Sequence, residues 1–281
     1  MPLDAEARDK LLARRTEELR TAAFAEVEIL DANLLEGIDQ VRSHVEALAD
    51  AGARRIIIDI TSFPKLWFFP ILQAALKDHR FVDVIATYTS AANYADLLSE
   101  NLGPLRPLPG FFADDGSTDH DSIIVGIGFE PSPLLPLLQD YRASKIRLIF
   151  PFPPGLPGHH RNWMFVKQIE ALTKDQDVDL PGRVHIHMYD CPQVFDAMAE
   201  MTRNAEDSSA LAPYGPKTVS LAMCLFSLAA TESGRTRVPV FYAQPMRYAL
   251  DYTTGIGRCG DLPDITGYCL RVRGRNLYEL G

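Results

Sequence analysis

Two hydrophobic patterns alternate along the chain, and each predicts a different kind of element. Short runs of consecutive apolar residues, such as RRIIIDI at 54–60, are typical of strands buried on both faces of a parallel sheet. Between them lie longer segments whose apolar residues recur every three or four positions, as on one face of a helix. In the first hundred residues these patterns predict helices at 5–24, 34–49 and 65–76, strands at 27–30, 54–60 and 81–87, and a further helical stretch after Tyr94.

The alternation is most regular in the second half of the chain. It predicts strands at 122–129, 145–150, 184–189, 210–213 and 238–242, with helices at 133–141, 162–172, 192–203 and 218–231. Strands that alternate with helices favour a mostly parallel sheet covered on both faces. The sequence therefore predicts an α/β protein with Rossmann-like, mostly parallel sheets flanked by helices.

Proline, glycine and aspartate are concentrated between these two parts. We therefore expect an incomplete Rossmann-like half at 1–100, a linker at 101–121, and a Rossmann-like domain with a C-terminal extension at 122–281.

The two halves share an order of elements and residues, which predicts a partial internal repeat. Each has a strand, a turn ending in proline and lysine (Pro64-Lys65, Pro216-Lys217), an apolar helix, a strand, and two tyrosines six positions apart. The first copy lacks the strand–helix–strand unit that opens the second. Its sheet is then expected to be completed by the other half or by another chain.

Composition and charge restrict the classes of function. A net charge of −9 over 281 residues argues against broad electrostatic binding to nucleic acid, which needs a basic face. No apolar stretch approaches the ~18–20 residues that cross a bilayer, and the charged N-terminus does not resemble a secretion signal. The four cysteines form no C-x-x-C pair. We expect a cytoplasmic protein with reduced thiols and no membrane association.

The lysines of the two proline–lysine turns are the most informative residues. Proline is common at a helix start, but a lysine there faces the positive end of the helix dipole, which disfavours a cation. A phosphate at the helix N-terminus would compensate Lys65 and Lys217, and open parallel sheets bind ligands at the carboxyl ends of their strands. The alternative is that each lysine pairs with a carboxylate, such as Asp59 or Asp190, or points to water.

A second candidate turn follows the strand at 122–129. Gly126 and Gly128 would let a backbone approach a ligand closely, Glu130 suits a ribose hydroxyl or a base amine, and Ser132 can cap the next helix. The third glycine of the dinucleotide fingerprint is missing, so the turn is weak as an NAD motif.

Tyrosines and histidines complete the candidates. Tyr242 and Tyr248, like Tyr88 and Tyr94, follow the last strand of their copy and can stack on a base or hydrogen-bond to a phosphate, although packing at a strand end explains them equally well. His185 and His187 share one face of a strand, but no further ligands complete a shell, so no metal site is predicted.

Residues 122–248 resemble the CRISPR-associated Rossmann-fold (CARF) sensor domains. Gly126–Pro131 matches the first ligand-facing turn of that family, and Gly215-Pro216-Lys217 matches its later Gly/Thr–Lys turn, reduced here from Gly-Gly-Thr-Lys. The resemblance implies binding of a cyclic oligonucleotide or similar second messenger and a role in prokaryotic antiviral defence. The sequence contains no recognisable effector domain.

Three functions remain open at this point. The first is a protein that binds or senses a nucleotide or another phosphorylated small molecule through Lys217, Gly215, Lys65 and the 126–132 turn. The second is an enzyme acting on a nucleotide or nucleoside, with Glu130 or Asp190 as general acid or base. The third is a structural subunit that joins a protein partner or a homo-oligomer. No cofactor can be named from the sequence.

Overall fold

A computed structural model describes residues 5–22, 28–30, 32–96, 98–113, 120–128, 145–152, 159–172, 184–249 and 252–281. The chain divides into two compact units, Met1–Gly37 and Ile38–Gly281. In the first unit, an exposed helix carries a hydrogen bond of 2.8 Å from Arg14 to Glu18 one turn later. The second unit contains all the strands described below.

The described residues form a mixed α/β protein with six helices and several sheets. The helices are α1 (Ala5–Ala22), α2 (Ile38–Asp50), α3 (Lys65–Lys77), α4 (His159–Leu172), α5 (Cys191–Met201) and α6 (Lys217–Glu232). The strands are β1 (Arg55–Asp59), β2 (Asp83–Thr89), β3 (Ala91–Tyr94), β4 (Ser99–Pro107), β5 (Ser122–Gly126), β6 (Lys145–Phe152), β7 (Val184–His187), β8 (Ser209–Pro213), β9 (Phe241–Tyr248), β10 (Thr253–Ile256), β11 (Arg258–Cys259), β12 (Leu262–Pro263), β13 (Ile265–Val272) and β14 (Arg275–Asn276).

One four-stranded sheet is entirely parallel, with the order β7-β6-β5-β8. In this sheet β5 pairs with β6 and with β8, and Ile123 lies opposite Ile146 on the one side and Ala210 on the other. Every residue of β5 and of β8 is buried, as expected for parallel strands covered on both faces.

The other four-stranded sheet is mixed, with the order β1-β2-β13-β14. The first two strands are parallel, whereas β13 runs antiparallel to β2. Strands from the C-terminal end of the chain therefore complete the sheet that β1 and β2 begin. The remaining strands form the antiparallel pairs β4–β9, β3–β10 and β11–β12.

Two apolar helices bring the lysine turns into the interior. Every residue of α6 from Thr218 to Ala230 is buried, and α6 packs against both α3 and α5. A helix that is apolar on all sides belongs in a core, and the few hydroxyl groups on α6 are satisfied by backbone carbonyls, such as that of Val238 for Ser227 at 2.6 Å. The first residues of both helices, Lys65 and Lys217, are partly buried.

Arg271 joins the C-terminal strand to the end of α3. Its side chain is 1% exposed, and its guanidinium donates to the carbonyl oxygens of Leu76, of Asp78 at 2.9 Å and of Phe81 at 3.1 Å. The last carbonyls of a helix have no partner within the helix, and a cation there also interacts favourably with the helix dipole. β13 is thus fastened to α3 by a buried cation as well as by its pairing with β2.

Several elements differ from the sequence prediction. Residues 28–30 are not a strand, and the segment around Tyr94 forms β3 and β4 rather than a helix. The first residues of the expected linker at 101–121 belong to β4, which pairs with β9. Because β9 includes the end of the strand expected at 238–242, that strand pairs chiefly with β4 and not with the parallel sheet. A single parallel bridge, between Leu211 and Val240, connects that segment to β8. In the described part of the chain, no helix has the length and apolar character required to cross a lipid bilayer.

Candidate functional site

The two proline–lysine turns have the same local structure. Pro64 precedes α3 with φ −59° and ψ 152°, and Pro216 precedes α6 with φ −52° and ψ 157°. Neither proline side chain can cap its helix. Lys65 and Lys217 are the first residues of their helices, as the sequence predicted, and each turn follows the carboxyl end of a strand, β1 or β8.

The ammonium group of Lys217 is held by the other turn. Its Nζ donates to the carbonyl oxygen of Ile60 at 2.9 Å and to that of Phe63. Both carbonyls belong to the segment between β1 and α3, more than 150 positions away in sequence. The partner of this lysine is therefore a pair of backbone dipoles and not Asp59 or Asp190, the carboxylates that the sequence offered.

Side-chain hydrogen bonds fix the shape of this receiving turn. A carboxylate oxygen of Asp59 accepts from the N–H of Thr61 at 2.8 Å, and the Thr61 hydroxyl oxygen accepts from the N–H of Thr89 at 2.8 Å. The N–H of Ile60 donates to the Thr87 carbonyl at 2.9 Å, so the turn is fastened to β2 as well. The Ile60 and Phe63 carbonyls are thereby fixed to receive the ammonium.

Lys65 reaches in the opposite direction, toward the segment that follows α6. Its Nζ lies 4.8 Å from the centre of the Tyr242 ring, a cation–π distance. Within the described residues, no carboxylate and no carbonyl oxygen accepts a hydrogen bond from it. Lys217 thus contacts the turn that precedes α3, and Lys65 contacts the strand that follows α6. Each lysine therefore contacts a segment next to the helix that begins with the other lysine.

Burial makes both lysines unusually weak bases. Desolvation lowers the pKa of Lys65 from 10.5 to about 8. Desolvation and, to a smaller extent, the charge of Lys65 lower the pKa of Lys217 to about 7, while the charge of Asp59 acts in the opposite direction. The charge of Lys65 contributes to the lowered pKa of Lys217, so the two ammonium groups lie within electrostatic reach of each other.

Tyrosines form a connected cluster that reaches the lysine pair at Tyr242, the ring that Lys65 contacts. The hydroxyls of Tyr88 and Tyr94 lie 3.2 Å apart, and the ring of Tyr252 is 6.3 Å from that of Tyr94 and 5.8 Å from that of Tyr248. Tyr252 therefore links the two tyrosine pairs that the sequence singled out. We call this group the tyrosine cluster; its members are Tyr88, Tyr94, Tyr214, Tyr242, Tyr248 and Tyr252.

The tyrosine cluster contributes no negative charge near neutral pH. Burial raises the pKa of Tyr88, and it raises the pKa of Tyr242 well above its ordinary value. Tyr248 accepts a hydrogen bond of 2.8 Å from the Gln244 amide, and burial raises its pKa too. The phenols are therefore neutral donors and acceptors next to two cations.

The three candidate glycines lie together and are all buried. A Cβ placed on Gly128 would overlap the carbonyl oxygen of Tyr214, and one on Gly215 would lie 3.0 Å from the carbonyl oxygen of Ile127. A Cβ on Gly126 would come within 3.1 Å of Val219 on α6. The close approach that these glycines permit is made by the turns after β5 and β8, which pack on each other beside Lys217.

The remaining candidates divide into two groups. Glu130 and Ser132 lie outside the described residues. Asp190 is the N-cap of α5, where its carboxylate accepts from the N–H of Gln193 at 2.9 Å, an ordinary structural role. Tyr252 begins the polar turn at 252–258, which the sequence offered as a segment lying over the same site, and its ring joins the two tyrosine pairs.

No protein-family description matches the sequence. No curated protein matches it either.

Proposed function

We propose that this protein binds a phosphorylated small molecule, such as a nucleotide, between the N-termini of α3 and α6. One observation carries the proposal: two neighbouring desolvated ammonium groups lie where helices begin, and among the described residues no acidic side chain hydrogen-bonds to either of them.

An anion would remove an energetic cost that the protein bears without it. Burying a cation is expensive unless an opposite charge accompanies it, and the carbonyls around Lys217 orient the ammonium without neutralising it. A phosphate would supply negative charge to both lysines and would also accept from the free N–H groups of the helix N-termini. Its position at the carboxyl ends of β1 and β8 agrees with the rule for open α/β sheets.

The tyrosine cluster suits the rest of such a ligand. Neutral phenols donate hydrogen bonds to phosphate or ribose oxygens without repelling them, and their rings offer edges or faces to a base. Tyr242 is already in contact with Lys65, so a ligand that reaches the lysine also reaches this ring.

The finer description of the fold belongs to the same proposal. We infer a Rossmann-like arrangement in which the two proline–lysine turns are copies of one unit, supported by their matching backbone angles, by the parallel pairing of β1 with β2 and by the parallel bridge between Leu211 and Val240. The resemblance of residues 122–248 to CARF sensor domains then favours a cyclic or linear oligonucleotide as the ligand, and a sensing role in prokaryotic antiviral defence within the cytoplasm.

A thermal-shift and calorimetric comparison of ligands tests the proposal. The probes are inorganic phosphate, AMP, ADP, cyclic AMP and a cyclic oligoadenylate, each measured against the wild type and against Lys65→Met and Lys217→Met. We expect at least one nucleotide to raise the melting temperature, and we expect each substitution to abolish that rise.

Lys77→Met is the matched control, since Lys77 is the exposed last residue of the same helix, α3. This variant should retain the full response. The proposal is refuted if no phosphorylated probe binds, or if a nucleotide stabilises both lysine variants as strongly as the wild type.

A further inference from the structure

An open groove of about 730 Å³ has a lining that includes neither Lys65 nor Lys217. It is bounded by the end of β7, the start of α5, the middle of β13 and the C-terminal residues. We call it the β13 groove; its lining residues used below are His187, Asp190, Asp196, Gly267, Cys269 and Glu279. A hydrogen bond of 3.0 Å from the Tyr268 hydroxyl to the Tyr189 carbonyl crosses its floor.

Part of β13 has unused backbone groups that face this groove. In the antiparallel pair with β2, Gly267 lies opposite Thr87 and Cys269 opposite Ile85. The Thr87 carbonyl accepts from Ile60, on the side of β2 away from β13, so Thr87 and Gly267 form a pair that exchanges no hydrogen bonds. The N–H and C=O of Gly267, and by the same alternation those of Cys269, therefore point away from β2.

No neighbouring strand covers that edge within the described residues. β14 pairs with β13 only at Arg271 and Val272. Beyond β14, the N–H of Leu277 donates to the carbonyl oxygen of Leu270 at 2.9 Å. A Cβ added to Gly267 would meet no atom within 4 Å, so the face of the sheet onto which it would project is open at this position as well. An uncovered edge of this kind is a template for pairing with another chain.

The charge of the groove selects the kind of chain. Three carboxylates line it, from Asp190, Asp196 and Glu279, together with His187, and no lysine or arginine is among its lining residues. Four aromatic side chains form its walls and floor, those of Tyr189, Phe195, Tyr268 and Tyr278. Carboxylates beside aromatic faces favour guanidinium and ammonium groups through ion pairing and cation–π contact.

We propose that the β13 groove binds an extended segment of a partner protein, one with arginine or lysine at alternate positions, which adds to β13 as a further strand. Main-chain hydrogen bonds to Gly267 and Cys269 hold the segment, and the basic side chains on one face of it reach the three carboxylates. The free edge of β13 favours a peptide over a small organic cation, because such a cation would leave the N–H and C=O groups of Gly267 and Cys269 without partners.

Cysteine protection measures occupancy of the groove directly. Cys269 lies in the groove and Cys259 on β11 is exposed elsewhere, whereas Cys191 and Cys224 are buried. The intact protein is treated with a maleimide in the presence of a synthetic hexapeptide of alternating arginine and threonine, and each cysteine is followed by peptide mass mapping. We expect labelling of Cys269 to slow about fivefold at about four times the Kd, with Cys259 unchanged.

Two further peptides and spermidine separate the parts of the proposal. A hexapeptide of alternating glutamate and threonine should give no protection, which isolates the charge requirement. The basic peptide with alternate N-methylated residues should also lose its effect, since it cannot pair along a strand. Equal protection by the N-methylated peptide or by spermidine would overturn strand addition, and equal protection by the acidic peptide would overturn the charge argument.

Charge substitution provides the matched variants. The triple variant Asp190→Asn, Asp196→Asn, Glu279→Gln should weaken binding of the basic peptide about tenfold or more, and asparagine at 190 retains the ability to cap α5. The control variant Asp39→Asn, Glu46→Gln, Asp261→Asn removes the same charge from exposed positions away from the groove. A loss of the same size in both variants, or no protection of wild-type Cys269 by the basic peptide, would refute the proposal. This outcome is independent of the lysine variants that test nucleotide binding.

Discussion

Replacement of Lys65 by methionine should stabilise the protein, although it removes a charged residue from a helix end. Methionine has a similar length and no charge, so it fills the same space without the cost of burying an ammonium. Lys65 makes no hydrogen bond to a carboxylate or carbonyl in the described structure, and its one recorded polar contact is with the Tyr242 ring. The substitution therefore removes few favourable interactions.

The expected gain follows from the pKa. At about 1.4 kcal/mol per pH unit, a fall in the pKa of Lys65 from 10.5 to about 8 corresponds to an upper value of about 3 kcal/mol at neutral pH. Solvent around the partly buried side chain reduces that value, and loss of the cation–π contact subtracts about 0.5–1 kcal/mol. We expect a net increase of about 1–2 kcal/mol in the free energy of unfolding at pH 7.

The pH dependence has a definite sign. Because the pKa is lowered in the folded state, the unfolded chain binds the proton more tightly, and the destabilisation is fully present below pH 8. It disappears as the pH rises from about 8 toward 10.5. The advantage of Lys65→Met over the wild type should therefore shrink across this range, and taking the difference cancels the opposite effect of buried tyrosines, whose raised pKa values reduce stability at high pH.

Urea denaturation at pH 7, 8 and 9.5 measures this difference, with Lys77→Met as the control that should change stability by less than about 0.5 kcal/mol. A Lys65→Met protein that is less stable than the wild type at pH 7 would contradict the reasoning. So would an advantage that grows between pH 8 and 9.5.

Three other substitutions have clear expected effects, each measured by the same denaturation. Lys217→Met should gain less stability at pH 7 than Lys65→Met, although the pKa of Lys217 is the lower of the two, because it leaves the carbonyls of the receiving turn without their donor; an equal or larger gain would show that those hydrogen bonds are worth nothing. Gly128→Ala should destabilise by several kcal/mol, since the new methyl overlaps backbone, whereas Gly267→Ala meets open space and should cost under about 1 kcal/mol; equal costs would reject the packing argument. Arg271→Met should cost about 3–5 kcal/mol by removing a buried donor from three carbonyls, and an unchanged midpoint would show that the end of α3 needs no cap.

The elements that the sequence predicted correctly are those whose pattern is local. The run before Asp59 and the apolar helices after Lys65 and Lys217 occur as β1, α3 and α6, because continuous apolar stretches and prolines act within a few residues. β4 and β13 were missed because each becomes a strand through a distant partner, β9 for the first and β2 for the second. β13 carried a signal nonetheless, since residues 265–272 are rich in strand-forming types between Pro263-Asp264 and Arg273-Gly274.

The lysines show the same division between local and distant causes. The sequence correctly placed each lysine at the start of a helix, whereas the anion that the dipole argument expected beside Lys217 stays a prediction. The sequence could not identify the groups that hold Lys217, because the Ile60 and Phe63 carbonyls come close only when α3 and α6 pack together. Carbonyl dipoles hold an ammonium in place but leave its charge uncancelled, so the packing that explains the position of Lys217 does not remove the need for an anion. Lys65, which lacks even those carbonyls, is consequently the residue at which nucleotide binding and protein stability should oppose each other most strongly.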